Sequence, residues 1–279
     1  MFDERGVYVI PVETGTNIFT QYILNPPEDP ILVVGSNMGF PESGLPNNHQ
    51  SIEIKRTLKS QTIPVLNHHR IGDNAVLPAT FAQSWMESSC LEILPRLSLV
   101  QCDDFRVLKG ITFESKLQDS FTLHLKKISP ETDPKILIEA RISSMLESKL
   151  RFHYSCQLKL EPEDRGRIKE VQKYDVGKNQ MKNPVDGKTF YQNGTLFHGP
   201  TFQGIKQLHN LDQSGLSLKC SLPDFKSSDL GSFSKATISP MILDLGYQAM
   251  LIWARKIYDS ASLPLSTKQS KHFSVPVPD

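Results

Sequence analysis

Two stretches of this chain share one design, a polar loop running into a proline-started apolar segment, and that pairing constrains the fold more than any other feature. The first is His68-His69-Arg70-Ile71-Gly72-Asp73-Asn74-Ala75-Val76-Leu77-Pro78, leading into Ala79-Thr80-Phe81-Ala82-Gln83-Ser84-Trp85-Met86. The second is Phe197-His198-Gly199-Pro200-Thr201-Phe202-Gln203-Gly204-Ile205, followed later by Pro240-Met241-Ile242-Leu243-Asp244-Leu245-Gly246-Tyr247-Gln248. Proline is preorganised for the first position of a helix, and apolar residues recur beyond each proline at helical spacing. One half offers a histidine and the other an aspartate. That is what a base and an acid shared between two fused copies of one fold would look like.

The pattern around the first helix supports a repeat of architecture. A helix from Pro78 to about Leu94 offers Phe81, Trp85, Met86 and Ile93 to one face. Four strand candidates follow, Phe105 to Glu114, Ser120 to Ile128, Lys135 to Ser144 and Arg151 to Leu160. Apolar side chains alternate along three of them, as an antiparallel sheet covered on one face requires. The second half offers Thr189-Phe190-Tyr191, a strand from Leu216 to Leu222, a helix from Pro240 to about Ile257 and one last strand from Lys271 to Val277. Against four strands after the first helix, the second module looks about three strands short.

From about Val34 onward these residues resemble the dehydratase domain of polyketide and fatty-acid synthases, whose signatures are HxxxGxxxxP, GPxFQG and DxxxQ or DxxxH. Here they read as His69 to Pro78, Gly199-Pro200-Thr201-Phe202-Gln203-Gly204, and Asp244 to Gln248. Each string alone is weak, but three in the family's order are a strong signal. The resemblance implies an α+β double hot-dog fold, an antiparallel sheet wrapped around a central helix, twice. It gives a first hot dog over 36–160, a linker over 161–188 and an incomplete second hot dog over 189–279. Residues 1–35 read as strand, helix (Gly15 to Leu24) and strand (Ile31 to Gly35), and resemble the exit from a ketoreductase domain. A ketoreductase placed upstream of the dehydratase resembles iterative polyketide or polyunsaturated-fatty-acid-like synthases.

Composition excludes several classes. With 31 basic and 30 acidic side chains the net charge is +1, and nothing in that balance asks for nucleic acid. No apolar run approaches the length that spans a bilayer, and Met1-Phe2-Asp3-Glu4-Arg5 lacks a signal-peptide pattern. Cys90, Cys102, Cys156 and Cys220 show no CxxC spacing, which fits reduced thiols in a cytoplasmic protein without a structural metal. The linker carries seven basic residues from Arg165 onward. A solvated connector is the bland reading, and an attraction for an acidic carrier protein the functional one.

The resemblance implies dehydration of a 3-hydroxyacyl thioester on the phosphopantetheine arm of an acyl carrier protein, with no dissociable cofactor. Neighbouring synthase domains are implied partners, and a homodimer is among the assemblies it allows. His69 would be the base and Asp244 the acid, since a neutral imidazole titrates near working pH and a carboxyl in an apolar tunnel stays protonated. Gln248, one helical turn after Asp244, would bind the carboxyl or the leaving hydroxyl. His198, standing where many relatives carry tyrosine, would orient substrate or His69, with Tyr191, Gly199 and Pro200 around it. Amides between Gly72 and Pro78 would polarise the thioester carbonyl. One departure stands out: the motif glycine position falls on Asp73, with Gly72 one place early. Reading His68 as the base restores HxxxG but displaces Pro78; the proline spacing favours His69. Two rivals remain, an aldol cyclase similar to product-template domains and a catalytically silent docking module, which Asp73 would favour by crowding the thioester.

Overall fold

The computed structural model describes residues 12–24, 51–95, 97–113, 119–130, 135–162, 181–234, 236 and 238–271. The chain divides into two compact units, Met1–Gly44 and Leu45–Asp279. In the first, helix α1 (Val12–Leu24) covers the stretch expected to be helical. The strands expected on either side lie outside the described residues, apart from Val12, which opens the helix.

The second unit begins with β1 (Ile52–Thr57), whose residues alternate between partial burial and exposure. Two short 3-10 turns, Ser60–Thr62 and Pro64–His68, lead to a hairpin of β2 (Arg70–Ile71) and β3 (Asn74–Val76). Helix α2 (Ala79–Ile93) follows, and every residue from Thr80 to Cys90 is buried. That is the signature of a helix enclosed on all sides rather than laid on a surface. Two of its polar side chains find partners inside: Gln83 Nε2 donates to Glu87 Oε1 at 2.8 Å and Ser84 Oγ to the Ile238 carbonyl at 2.6 Å.

The sheet around α2 includes β4 (Leu97–Val107), β6 (Ser120–Lys127), β7 (Ile136–Leu146) and β8 (Lys149–Pro162), while the short β5 (Thr112–Phe113) joins β2 and β3 in a separate three-stranded sheet. The strand expected from Phe105 to Glu114 is displaced toward the N-terminus. Register shifts between Leu99 and Gln101 and between Asp103 and Arg106, with Asp104 at φ 48°, break the two-residue alternation and hide β4 from a periodicity search.

The second half contributes β9 (Val185–Asp186), α3 (Lys188–Gln192), β10 (Ile205–Asp212), β11 (Gly215–Cys220), α4 (Pro240–Tyr258) and β12 (Ser266–Lys271). Strand β10 has no counterpart among the expected elements. Its apolar residues Ile205, Leu208 and Leu211 fall three apart because two register shifts interrupt it. The sheet β11-β10-β9 covers α4, and α4 packs on α2. Of the last strand expected, 271–277, all but Lys271 lies outside the described residues; an unexpected strand, β12, precedes it and pairs antiparallel with β4, Ser266 opposite Arg106 and Lys271 opposite Gln101. It completes a six-stranded sheet ordered β1-β6-β7-β8-β4-β12. Its sequence, STKQSK, has no apolar alternation to announce a strand.

One core surrounds α2, with Phe81, Trp85, Met86, Leu123, Ile138 and Leu158 at its centre, and it draws in Phe202, Phe233 and Met241 from the second half. A smaller core holds Phe190, Leu196, Ile205, Leu208, Leu251 and Ile252. The seam between the two halves is where the polar residues of the motifs meet.

Candidate active site

His69 caps the 3-10 turn Pro64–His68 and enters the hairpin. Its ring Nδ1 donates to the Val76 carbonyl at 2.8 Å, and its own carbonyl accepts the Val76 amide at 3.0 Å. A carbonyl only accepts, so Nδ1 carries the hydrogen and Nε2 is left with its lone pair. The hairpin that makes this grip turns on Gly72 and Asp73, with Ile71 opposite Asn74. Gly72 sits at φ +60°, and a two-residue turn with glycine at its first central position is a hairpin geometry other residues adopt only under strain.

The neighbouring histidine points elsewhere. His68 Nδ1 lies 3.0 Å from Thr201 Oγ1, and its carbonyl accepts the Gly199 amide at 2.7 Å. Gly199 is pressed so closely on this histidine that a Cβ there would meet His68 Cβ at 2.8 Å. Of the two registers, His69 is the one that lines the cavity.

Asp244 lies in the second turn of α4, which Pro240 opens after Ser239. Gln248, one turn later, donates to Asp244 Oδ2 at 2.8 Å and to the Phe202 carbonyl at 2.9 Å. Tyr191 donates its hydroxyl to Gln248 Oε1 at 2.8 Å and accepts the Ile205 amide at 3.1 Å. The amide of Gln248 is fully committed, so it fixes the carboxyl rather than facing a ligand freely. His198 stacks on Phe197 with centroids 4.2 Å apart and meets the His69 ring edge-on at 5.3 Å. Its Nε2 is 3.4 Å from Asp244 Oδ2.

Burial sets the protonation states. Desolvation pulls His69 down to about 4, against weaker support from its bond to Val76. Desolvation also pulls His198 down to about 3, with the neighbouring His69 adding to the effect. Asp244 moves the other way, pushed up to about 7 by desolvation and only partly restrained by the Gln248 hydrogen bond. Between these values the site holds a neutral imidazole and a protonated carboxyl side by side. Nitrogens of His69 and His198 and an oxygen of Asp244 lie within 4.8 Å of one another, a donor set of the kind divalent cations use. A cation there would have to displace the proton that Asp244 retains.

These groups open on an apolar cavity of about 250 Å³, walled by residues of both halves including Leu77, Ala79, Val107, Tyr154, Tyr247 and Leu251. The remaining expected residues fall around it unevenly. Gly72 and Asp73 are exposed at the hairpin tip and do not line the cavity, so the crowding expected from the Asp73 side chain does not arise. The oxyanion role expected of the amides between Gly72 and Pro78 is also corrected. Val76 N donates to His69, Leu77 N donates to Ile111 at 2.9 Å, and Asn74 and Ala75 lie in the hairpin ladder. Pro78 starts α2, Gly199 and Pro200 form the turn behind His68, and Tyr191 acts through Gln248.

Sequence reasoning missed the segment Leu263-Pro264-Leu265, which crosses the cavity before β12. A loop without periodicity gives no signal of what it covers. Tyr247 both lines the cavity and bonds Thr267 Oγ1 at 2.8 Å. On α4, Leu251 is buried, while Met250 is 57% exposed.

Comparison with known proteins identifies the fold. Residues 173–277 match the family model described as "Polyketide synthase dehydratase N-terminal domain". The dehydratase domain from the CurF module of curacin polyketide synthase superposes with a TM-score of 0.68 at 16% identity, covering 84% of this chain and 82% of that one. The fold is that of the polyketide synthase dehydratases. The CurK dehydratase of the same synthase gives 0.63 at 19% identity, covering 84% and 80%, and its solved forms include inactive mutants with one histidine changed to phenylalanine or one aspartate to asparagine. A polyunsaturated fatty acid synthase polypeptide of Thraustochytrium sp. is 27% identical over 278 residues, 99% of this chain. The chain spans about a tenth of the length of that curated relative.

Proposed function

We propose that this chain dehydrates a 3-hydroxyacyl thioester to the 2-enoyl thioester, on an acyl carrier protein within a polyketide or polyunsaturated-fatty-acid type synthase. The observation that carries the reading is the pairing of a neutral His69 with a protonated Asp244 at one apolar cavity, each displaced by burial toward the state its task needs. His69 Nε2 takes the proton from C2 while the Asp244 carboxyl protonates the departing C3 hydroxyl, and water leaves as the C2=C3 bond forms. Passing the proton from His69 back to Asp244 then restores both groups. Leu77 and Ala79 bring the start of α2 to the cavity, and the Ala79 amide, having no helical partner at the first position, is assigned to the thioester oxygen.

Support also comes from the curacin CurK dehydratase, whose histidine and aspartate mutants are inactive. The first 35 residues are read as the end of an upstream ketoreductase-like domain, with 36–160 and 189–279 as the two hot dogs. Among the described residues no helix is long and apolar enough to cross a membrane. The test is incubation with 3-hydroxyacyl N-acetylcysteamine thioesters and detection of enoyl-thioester absorbance. Formation of enoyl product that is lost in both His69→Ala and Asp244→Asn supports the reading; product that persists in either sinks it.

A further inference from the structure

Beyond the cavity of His69 and Asp244 lies an outer chamber of about 410 Å³, and the two share Phe197, Leu251, Leu263 and Leu265 as walls. Helix α4 runs beneath both. Asp244, Gln248, Leu251 and Arg255 follow one another at intervals of four, three and four residues, so they form one stripe along the helix. Asp244 and Gln248 line the inner cavity, Leu251 lines both, and Arg255 lines only the outer chamber. Among the described residues lining that chamber Arg255 is the one charged side chain. It is exposed, and no described residue gives it an ion pair or a hydrogen bond. Its guanidinium is thus an uncommitted fork of donors in a chamber whose other described lining residues are uncharged.

The spacing selects the ligand. At about 1.5 Å of rise per residue, Asp244 and Arg255 are roughly 16 Å apart along α4. A pantetheine arm has about thirteen chain bonds from phosphorus to sulfur and the acyl C3 lies about three bonds further, which at roughly 3.5 Å for every three backbone bonds extends about 19 Å, the helix spacing plus part of the reach of the arginine side chain. We infer that Arg255 binds the phosphate of the phosphopantetheine arm while the acyl end of the same molecule lies against His69 and Asp244. Planar guanidinium groups bind phosphate through two parallel hydrogen bonds, which fixes how far the arm enters and so sets C2 and C3 at the acid and base. This rests on the dehydratase reading for the inner end of the ligand, and on the chamber and its arginine for the outer end.

The experiment uses the 279-residue chain with matched 3-hydroxyacyl thioesters of pantetheine, 4′-phosphopantetheine and coenzyme A, together with calorimetric binding of unreactive amide analogues of the first two. The wild type is expected to favour the phosphorylated arm about tenfold, through KM and affinity rather than kcat. In Arg255→Ala the ratio between phosphorylated and unphosphorylated arms collapses toward one, and Arg255→Lys recovers part of it. An equal advantage for the coenzyme A thioester, equally dependent on Arg255, supports the phosphate assignment and adds a free-thioester source to the carrier-borne one. No phosphate preference in the wild type, or one that survives Arg255→Ala, overturns the inference. An Arg255-dependent affinity without any turnover would leave the phosphate site standing and fail the dehydratase reading instead.

Discussion

His69 and Val76 hold one another by two hydrogen bonds, ring Nδ1 to carbonyl at 2.8 Å and amide to carbonyl at 3.0 Å. The reciprocal pair ties the tautomer of the histidine to the closure of a hairpin that begins at the next residue. Backbone geometry rather than another side chain therefore decides which nitrogen faces the cavity. Asp244 is held differently, by a side-chain chain running through Gln248 to Tyr191.

The first prediction separates the adjacent histidines. His69→Ala removes the base and should lower dehydration a hundredfold or more, about 3 kcal/mol of barrier. His68→Ala loses a contact to Thr201 and should cost about 1 kcal/mol of stability, with activity retained within a few fold. Thioester dehydration rates and denaturant midpoints for the two variants check this; the reverse ranking of rates would reassign the base.

The hairpin tip gives the second. Asp73 is exposed and away from the cavity, so Asp73→Gly should change the rate less than about twofold and stability by less than about 0.5 kcal/mol. Gly72→Ala forces a side chain into φ +60° and should cost about 1 kcal/mol. Because Val76 sits on the same hairpin, that variant should also lower kcat. Circular-dichroism melts with parallel kinetics would expose an error in either direction.

How far the sequence was legible follows from periodicity. Strands β6, β7 and β8 were readable because Phe121, Leu123 and Leu125 or Ile136 and Ile138 keep strict alternation, and α4 because Pro240 marks its start. The bulged β4 and β10 were not, since each register shift moves the apolar positions out of phase. Among site residues, His69, His198, Asp244 and Gln248 were found because the motif spacing around nearby proline and glycine turns reveals them. Leu251, Arg255 and the Leu263–Leu265 crossing carry no motif, and their relation to the cavity exists only once α4 and β12 are placed. The amides between Gly72 and Pro78 looked available in sequence because the strand pairing that consumes them is two and three residues long.

The third prediction is the pH dependence of rate. Activity needs His69 neutral, hence pH above about 4, and Asp244 protonated, hence pH below about 7. The kcat/KM profile should be a bell between those limits, read as macroscopic values of the coupled group. Gln248 donates to the carboxylate and so lowers the Asp244 value. Gln248→Leu removes that support, and the alkaline limb should move upward even as kcat falls. A limb that moves down, or a rate that climbs steadily above about pH 8, would contradict the acid role of Asp244.

The last prediction concerns stability. Asp244 has its folded value raised to about 7, against about 3.9 for an unperturbed aspartate. Below about pH 4 both folded and unfolded chains hold the proton, so the site costs nothing. Between about 4 and 7 the unfolded chain releases it and the folded chain does not, so stability falls as pH rises, by roughly 4 kcal/mol in all at about 1.4 kcal/mol per unit. His69 and His198, depressed to about 4 and about 3, act in the opposite sense: their contribution is lost as pH falls from about 6.5 toward those values. Asp244→Asn is neutral at every pH and keeps an oxygen for Gln248. It should therefore match the wild type near pH 4, exceed it by up to about 4 kcal/mol at about pH 8, and be inactive throughout. Urea unfolding at about pH 4, 6 and 8 measures the difference directly, and a gap that does not widen with pH would show that Asp244 is ionised in the folded protein.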